Sequence, residues 1–277
     1  MKYFLIGRYG SGKRYLANKL KTLGFKVTES YTTRPKRTDD ETGHIFVTHN
    51  EANKIENKIA LTEHDGHRYF LTTDQIRNSD IIIVDPEGAL QIAKAMPDTA
   101  FHIIYIKAGI DDRLKHIANP SVEKTNRLHQ RNIKENEMFT NFEREYLTPT
   151  GFTDYTNITA YALTENDYSD TSFDDRIKDI KNATMLHKML YEIVSVCIDN
   201  GILSKGEKPN TVKVWLSLPD NTTTIADEPI DCFADRLIND DEGLSIIMKN
   251  WLIYIADICP SIMDAIYSYP ETDISQT

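Results

Sequence analysis

The chain has 277 residues, 40% hydrophobic and 27% charged, with a formal net charge of -10. That suffices for one large α/β domain plus an appendage, and no unbroken apolar span approaches the ~20 residues of a membrane helix. From Gly201 onward five Lys and Arg stand against thirteen Asp and Glu, while the remainder is close to neutral, which excludes a general nucleic-acid binder.

The N-terminal FLIG run is too short and too soon interrupted to read as a signal peptide, so a cytoplasmic protein without a membrane partner is expected. Cys197, Cys232 and Cys259 are odd in number, lack metal-type spacing and read as buried thiols.

Tyr3 to Ile6 predicts a short buried strand, which runs into Gly7-Arg8-Tyr9-Gly10-Ser11-Gly12-Lys13, the spacing G-x-x-x-x-G-K of a phosphate-binding loop. Glycines let backbone N–H groups surround a phosphate, and Lys13 adds a point charge for the β- and γ-phosphates of ATP. Leu16, Leu20 and Leu23 then predict a helix whose N-terminus faces the same anion. The bland reading, a glycine turn with no ligand, leaves the lysine and the strand-loop-helix order unexplained. One position departs from the pattern: Arg14 stands where a Ser or Thr hydroxyl helps hold Mg²⁺. An Arg cannot ligate a metal, so Mg²⁺ would fall to nucleotide oxygens, water and a carboxylate elsewhere, and no residue is assigned as a metal ligand.

After a stop at Gly24 and a short strand comes TESYTTRPKR, 28–37. Arg34 and Arg37, with hydroxyls before them and a proline fixing an extended backbone, suit a loop that grips a phosphate monoester. A phosphate loop followed by TTRPxR resembles the guanylate kinase family. The resemblance continues through Gly43-His44-Ile45-Phe46, Glu63, Gly66-His67-Arg68-Tyr69 and Asp85-Pro86-Glu87-Gly88, over about the first 140 residues. It implies a P-loop NTPase-type parallel sheet of guanylate kinase-like form, with ATP and Mg²⁺ as cofactors and GMP or dGMP as the second substrate. The loop residues Gly7 to Arg14 would bind ATP.

The resemblance also implies roles around the acceptor, in a region of about 28–73. Arg34 and Arg37 would hold the GMP phosphate, and Ser30 would contact the nucleotide. His44 stands nearest to the family's phosphate-binding tyrosine and would bring pH sensitivity near neutrality; a surface histidine at a strand start is the plain alternative. Glu63 matches the glutamate that reads guanine, whose N1–H and N2–H₂ donors suit a carboxylate and which adenine lacks. Tyr69 matches a phosphate-binding tyrosine. The serine expected after it is lost to Phe70-Leu71, and Thr72 or Thr73 is the candidate replacement.

Ser79 to Val84 predicts a buried parallel strand ending at Asp85, with Gly88 starting the next helix. Asp85 would orient the acceptor or water on Mg²⁺; Ile83 stands where the family carries a second acid. Ala100 to Ile106 is a further strand, and strand-helix alternation implies right-handed crossovers. The family places an arginine lid at about 111–135, where Arg113, Arg127 and Arg131 are candidate catalytic residues. Arg127 and Arg131 are four apart and share a helix face; a solvated charged face is the competing reading.

From Phe139 to Lys181 the chain turns polar, with one alternating run, Asn157 to Leu163, as the last sheet strand. Met185 to Ile198 predicts the final helix of a first domain, 1–200. Residues 201–277 predict a small acidic α+β module, with an alternating strand at Val212 to Leu218 and a helix at Leu244 to Ile258 ended by Pro260. It carries no catalytic constellation and is a candidate homodimer or partner surface. The expected function is phosphorylation of GMP or dGMP. Two alternatives stay open: a silent guanylate kinase-like binding module, and a kinase acting on another nucleotide or a phosphorylated sugar.

Overall fold

The computed structural model describes residues 1–116, 122–148, 151–152, 154–199, 201, 203–217 and 223–238. The chain forms two compact units, Met1–Asp179 and Ile180–Thr277.

The first unit is an α/β fold on two sheets. Its elements run β1 (Lys2–Ile6), α1 (Lys13–Thr22), β2 (Ser30–Thr32), β3 (His44–Phe46), α2 (His49–Lys54), β4 (Lys58–His64), β5 (His67–Thr72), α3 (Thr73–Arg77), β6 (Ile81–Ile83), α4 (Pro86–Ala95), β7 (Phe101–Lys107), α5 (Ile110–Lys115), α6 (Val122–Glu145) and β8 (Ile158–Glu165), and it closes on the first residues of α7 (Asp174–Asp199). β6, β1, β7 and β8 pair in that order, every pair parallel. Burial on both faces explains the continuous apolar runs of β6, β1 and β7: Phe4, Ile82 and Ile103 are buried on one face, Leu5, Ile81 and Ile104 on the other.

Over the sheet lies α4, which begins at Pro86, two residues before the expected start. Asp85 is its N-cap: the carboxylate accepts the Gly88 N–H at 2.7 Å, and Pro86 occupies the first helical position, where no N–H is needed. The expected polar stretch after Phe139 begins later, because α6 continues to Glu145 and buries Phe139 and Phe142 in the core.

The second sheet, ordered β3-β2-β5-β4, spans the expected acceptor region. β4 carries a bulge: Ile59 opposes Leu71 and Thr62 opposes Tyr69, so three steps on one strand match two on the other. Ala60 takes up the distortion at φ 53°. The bulge reverses the alternation of everything after it.

In the second unit, α7 continues through Leu190 and Val194, which pack with Val212, Ile230, Phe233 and Leu237. The apolar face expected to close the first domain therefore belongs to the C-terminal unit, and the division falls at Asp179, ahead of 200. β9 (Thr211–Ser217) and β10 (Thr223–Pro229) pair antiparallel, and α8 (Ile230–Ile238) follows. Cys197 and Cys232 are buried. Cys259, Leu218 and the helix expected at 244–258 lie outside the described residues. Among the described residues no helix is long and apolar enough to cross a membrane.

Candidate functional site

The loop between β1 and α1 sits at the C-terminal edge of the parallel sheet, where α/β folds gather ligands. Gly12 caps α1 at φ 97°, and a Cβ there would lie 2.3 Å from Asn166 Nδ2, so only glycine fits. The segment after β8 holds the loop from outside: Asn166 Nδ2 donates to the Ser11 carbonyl at 2.9 Å and the Tyr168 hydroxyl donates to the Gly10 carbonyl at 2.7 Å. Lys13 folds back onto its own loop, donating to the carbonyls of Gly7 and Arg8. Loss of solvent pulls its ammonium down to about 8, against the opposing pull of Glu135. Ser11 Oγ is buried without a hydrogen-bond partner among the described residues.

This loop opens into a cleft of about 850 Å³ whose opposite wall is the second sheet. Arg34, Arg37, Ser30, His44 and Tyr69 all line it. Arg34 is nearly buried and forms a fork-to-fork pair with Glu41, at 3.0 Å and 2.8 Å, while the Arg37 N–H donates to the same carboxylate at 2.6 Å. The guanidinium beside it holds the Glu41 carboxyl down at about 2. Arg34 Nε and Thr28 Oγ1 are buried without hydrogen-bond partners among the described residues, and both residues line the cleft.

His44 stands between the two walls. Its Nδ1 lies 2.9 Å from Ser30 Oγ, and its Nε2 lies 3.3 Å from Arg14 Nη2. Arginine can only donate, so Nε2 accepts and Nδ1–H donates to the serine. Burial first, then the charges of Arg14 and Arg34, lowers this imidazole to about 4. The pH sensitivity expected near neutrality is thereby moved into the acid range.

Two expected acceptor contacts are turned away. Beyond the bulge Glu63 pairs with Arg68 and is exposed, whereas Thr62 and His64 line the cleft beside Tyr69. Without the extra residue at Ala60 the parity would be the reverse. Thr72 is the N-cap of α3: its hydroxyl accepts the Gln75 N–H at 3.3 Å, so a helix end occupies it.

The arginines divide by position. Arg131 reaches the cleft with its guanidinium 4.9 Å over the Tyr9 ring. Arg113 is 3% exposed and works beneath the loop, donating to the Tyr9 carbonyl and to Asn132 Oδ1; it positions the loop instead of facing a ligand. Arg8 likewise points away, to Asn136 and Glu143 on α6. Arg127 lies on α6, and its side chain lies outside the described residues.

Residues not read from the sequence complete the site: Thr28, Glu41, Thr62, His64, Glu135, Asn166 and Tyr168. Glu41, four after Arg37, carried a local signal as a carboxylate inside an arginine loop. Asn166 and Tyr168 carried none, since they reach the glycine loop across 155 and 158 residues of chain.

The donor set does not fit a protein-held Mg²⁺. Arg14 occupies the hydroxyl position, Ile83 is apolar, and one oxygen of Asp85 is taken by the α4 cap while burial raises its pKa. Among the described residues no three His, Cys, Asp or Glu side chains gather as a metal site.

No protein-family model matches the sequence, and no curated protein matches it. Among solved structures the chain is similar to a guanylate kinase from Anaplasma phagocytophilum, at 15% identity and a TM-score of 0.39, over 66% of this chain and 85% of that one.

Proposed function

We propose that the first unit is a cytoplasmic nucleoside monophosphate kinase that transfers the γ-phosphoryl group of ATP to an acceptor monophosphate, with GMP and dGMP as the favoured acceptors. The observation that carries this reading is a single cleft with an anion cradle on each wall, each holding a buried polar atom without a partner: Ser11 Oγ in the glycine loop and Arg34 Nε in the arginine fork. Buried polar atoms are ordinarily satisfied, and phosphate oxygens would satisfy these. Lys13 would exchange its loop carbonyls for donor phosphate oxygens. Arg34, Arg37 and Tyr69 would hold the acceptor phosphate, and Arg131 would cover the transferred group. Catalysis would consist of positioning and charge neutralisation. With Glu63 on the exposed face, the acceptor left for a guanine donor in this reading is the Asp85 oxygen not taken by the α4 cap, on a residue that lines the cleft. An Mg²⁺ arriving on ATP would be coordinated by the triphosphate and water.

A second reading, a module that binds a phosphorylated partner without turnover, draws on Glu41 already filling the Arg34 fork. ADP release from ATP across a panel of nucleoside monophosphates, with Lys13→Ala as control, separates the two. The kinase reading expects turnover with GMP and dGMP, absent in the variant; no turnover with any monophosphate, from folded protein, contradicts it.

A further inference from the structure

Arg14 has a place that its position in the loop motif does not explain. It stands in the first turn of α1, directly after Lys13, yet its guanidinium crosses the cleft to the opposite wall. There it packs on Gly43, at φ 88°, where a Cβ would lie 2.9 Å from Arg14 Cζ; any residue but glycine would displace the arginine. Its described partner is His44 Nε2, an uncharged acceptor. Arg34, by contrast, is committed to a carboxylate and Arg113 to a carbonyl and an amide oxygen. An exposed guanidinium held by a neutral imidazole gives up less on turning to an anion than Arg34 or Arg113 would.

We propose that Arg14 binds the phosphates of both substrates from between the two cradles, supplying the positive charge that a hydroxyl-held metal ion would otherwise contribute there. This rests on the kinase reading. In the transfer, an anionic oxygen of the acceptor phosphate attacks the γ-phosphorus and a new P–O bond forms. The bond from the γ-phosphorus to the β–γ bridging oxygen breaks, and its electron pair leaves with ADP. No proton need move, because the attacking oxygen is already deprotonated. Arg14 would donate to the equatorial oxygens and the incoming acceptor, where like charges are forced together. His44, released by Arg14, keeps its Nδ1 bond to Ser30 and turns a vacant acceptor toward solvent.

The test is calorimetric titration of the full chain with ATP, in EDTA and in Mg²⁺, for the wild type, Arg14→Ser and Arg14→Lys, alongside ADP release with GMP. The exposed position makes both variants compatible with folding. The wild type should bind ATP within about threefold in the two conditions. Arg14→Ser should lose about tenfold in EDTA, with Mg²⁺ restoring most of the loss, and Arg14→Lys should fall between. A wild type that needs Mg²⁺ by tenfold or more, or an Arg14→Ser variant that binds as the wild type does in EDTA, overturns the inference while leaving kinase activity standing. The arginine signature in binding without turnover on any monophosphate would keep Arg14 as a phosphate ligand and remove the kinase reading. No ATP binding in either condition would remove both.

Discussion

Glu41 sets the charge at the arginine fork of the cleft. Its carboxyl, ordinarily at 4.5, is held at about 2 by Arg34 first and then by the Arg37 N–H. A depressed carboxylate contributes stability that is complete above 4.5 and is lost as pH falls toward 2. Replacing it also leaves a nearly buried guanidinium without its counter-charge. Glu41→Gln should therefore lower unfolding stability by about 2 kcal/mol at pH 7. Because the fork becomes more positive, GMP should bind about tenfold more tightly. Denaturant unfolding and calorimetry check the pair, and weaker GMP binding would mean that Glu41 orients the arginines and does not compete for them. Lys13 gives a second test. Its ammonium is pulled to about 8 by loss of solvent, so ATP affinity should fall as pH rises from 7 to 9.5, while Lys13→Arg, which stays charged throughout, should hold a flat profile. His44 titrates at about 4 against an ordinary 6.5. Below 6.5 the unfolded chain takes up a proton that the folded chain refuses, so His44 lowers stability as pH falls from 6.5 to 4. At this scale the glycines, Lys13, Arg34 and Arg37 were legible because their chemistry is local. The environment of His44 was not, since burial and two distant arginines create it.

Elements explain why other side chains took different jobs. Thr72 was expected at the acceptor, and it caps α3 in a reciprocal box with Gln75. Thr72→Val should then cost about 1 kcal/mol of stability and leave GMP affinity within about twofold; a large loss of GMP affinity with unchanged stability would return the hydroxyl to the ligand. The bulge at Ala60 had no sequence signal, because alanine rarely marks a positive φ. It nevertheless decides that Thr62 and His64, and not Glu63, face the cleft. Strands β1, β6 and β7 were readable from unbroken apolar runs, a pattern that sheets covered on both faces require. The length of α6 was not readable, since its buried Phe139 and Phe142 lie in a stretch whose charged residues resemble a loop. The segment after β8 was legible only as part of a polar stretch. Its hold on the Ser11 and Gly10 carbonyls predicts that Asn166→Ala weakens ATP binding about tenfold while lowering stability by about 1–3 kcal/mol. Thermal unfolding and ATP titration read these together, and intact ATP affinity would show that the loop keeps its shape unaided.

For the molecule as a whole, one wall of the cleft comes from a parallel sheet and its phosphate loop, the other from a mixed sheet carrying an arginine fork, and Arg14 and His44 meet between them. Length and charge led to the expectation of an α/β core and an acidic appendage, and helical spacing placed the apolar face at Met185 to Ile198 in the core; in the structure Leu190 and Val194 of that face pack with Val212, Ile230, Phe233 and Leu237, because an apolar helix face does not announce which partner will cover it. Phosphoryl transfer in this cleft requires that the two cradles hold one phosphate chain at once. Its most direct test is the affinity of a bisubstrate probe in which the phosphates of ATP and GMP are covalently joined, measured against ATP and GMP separately and in Lys13→Ala and Arg37→Ala. The account predicts binding about a hundredfold tighter than either half alone, weakened by each substitution and displaced by either nucleotide. A probe that binds no better than ATP and is indifferent to Arg37 would show that the walls do not share a ligand.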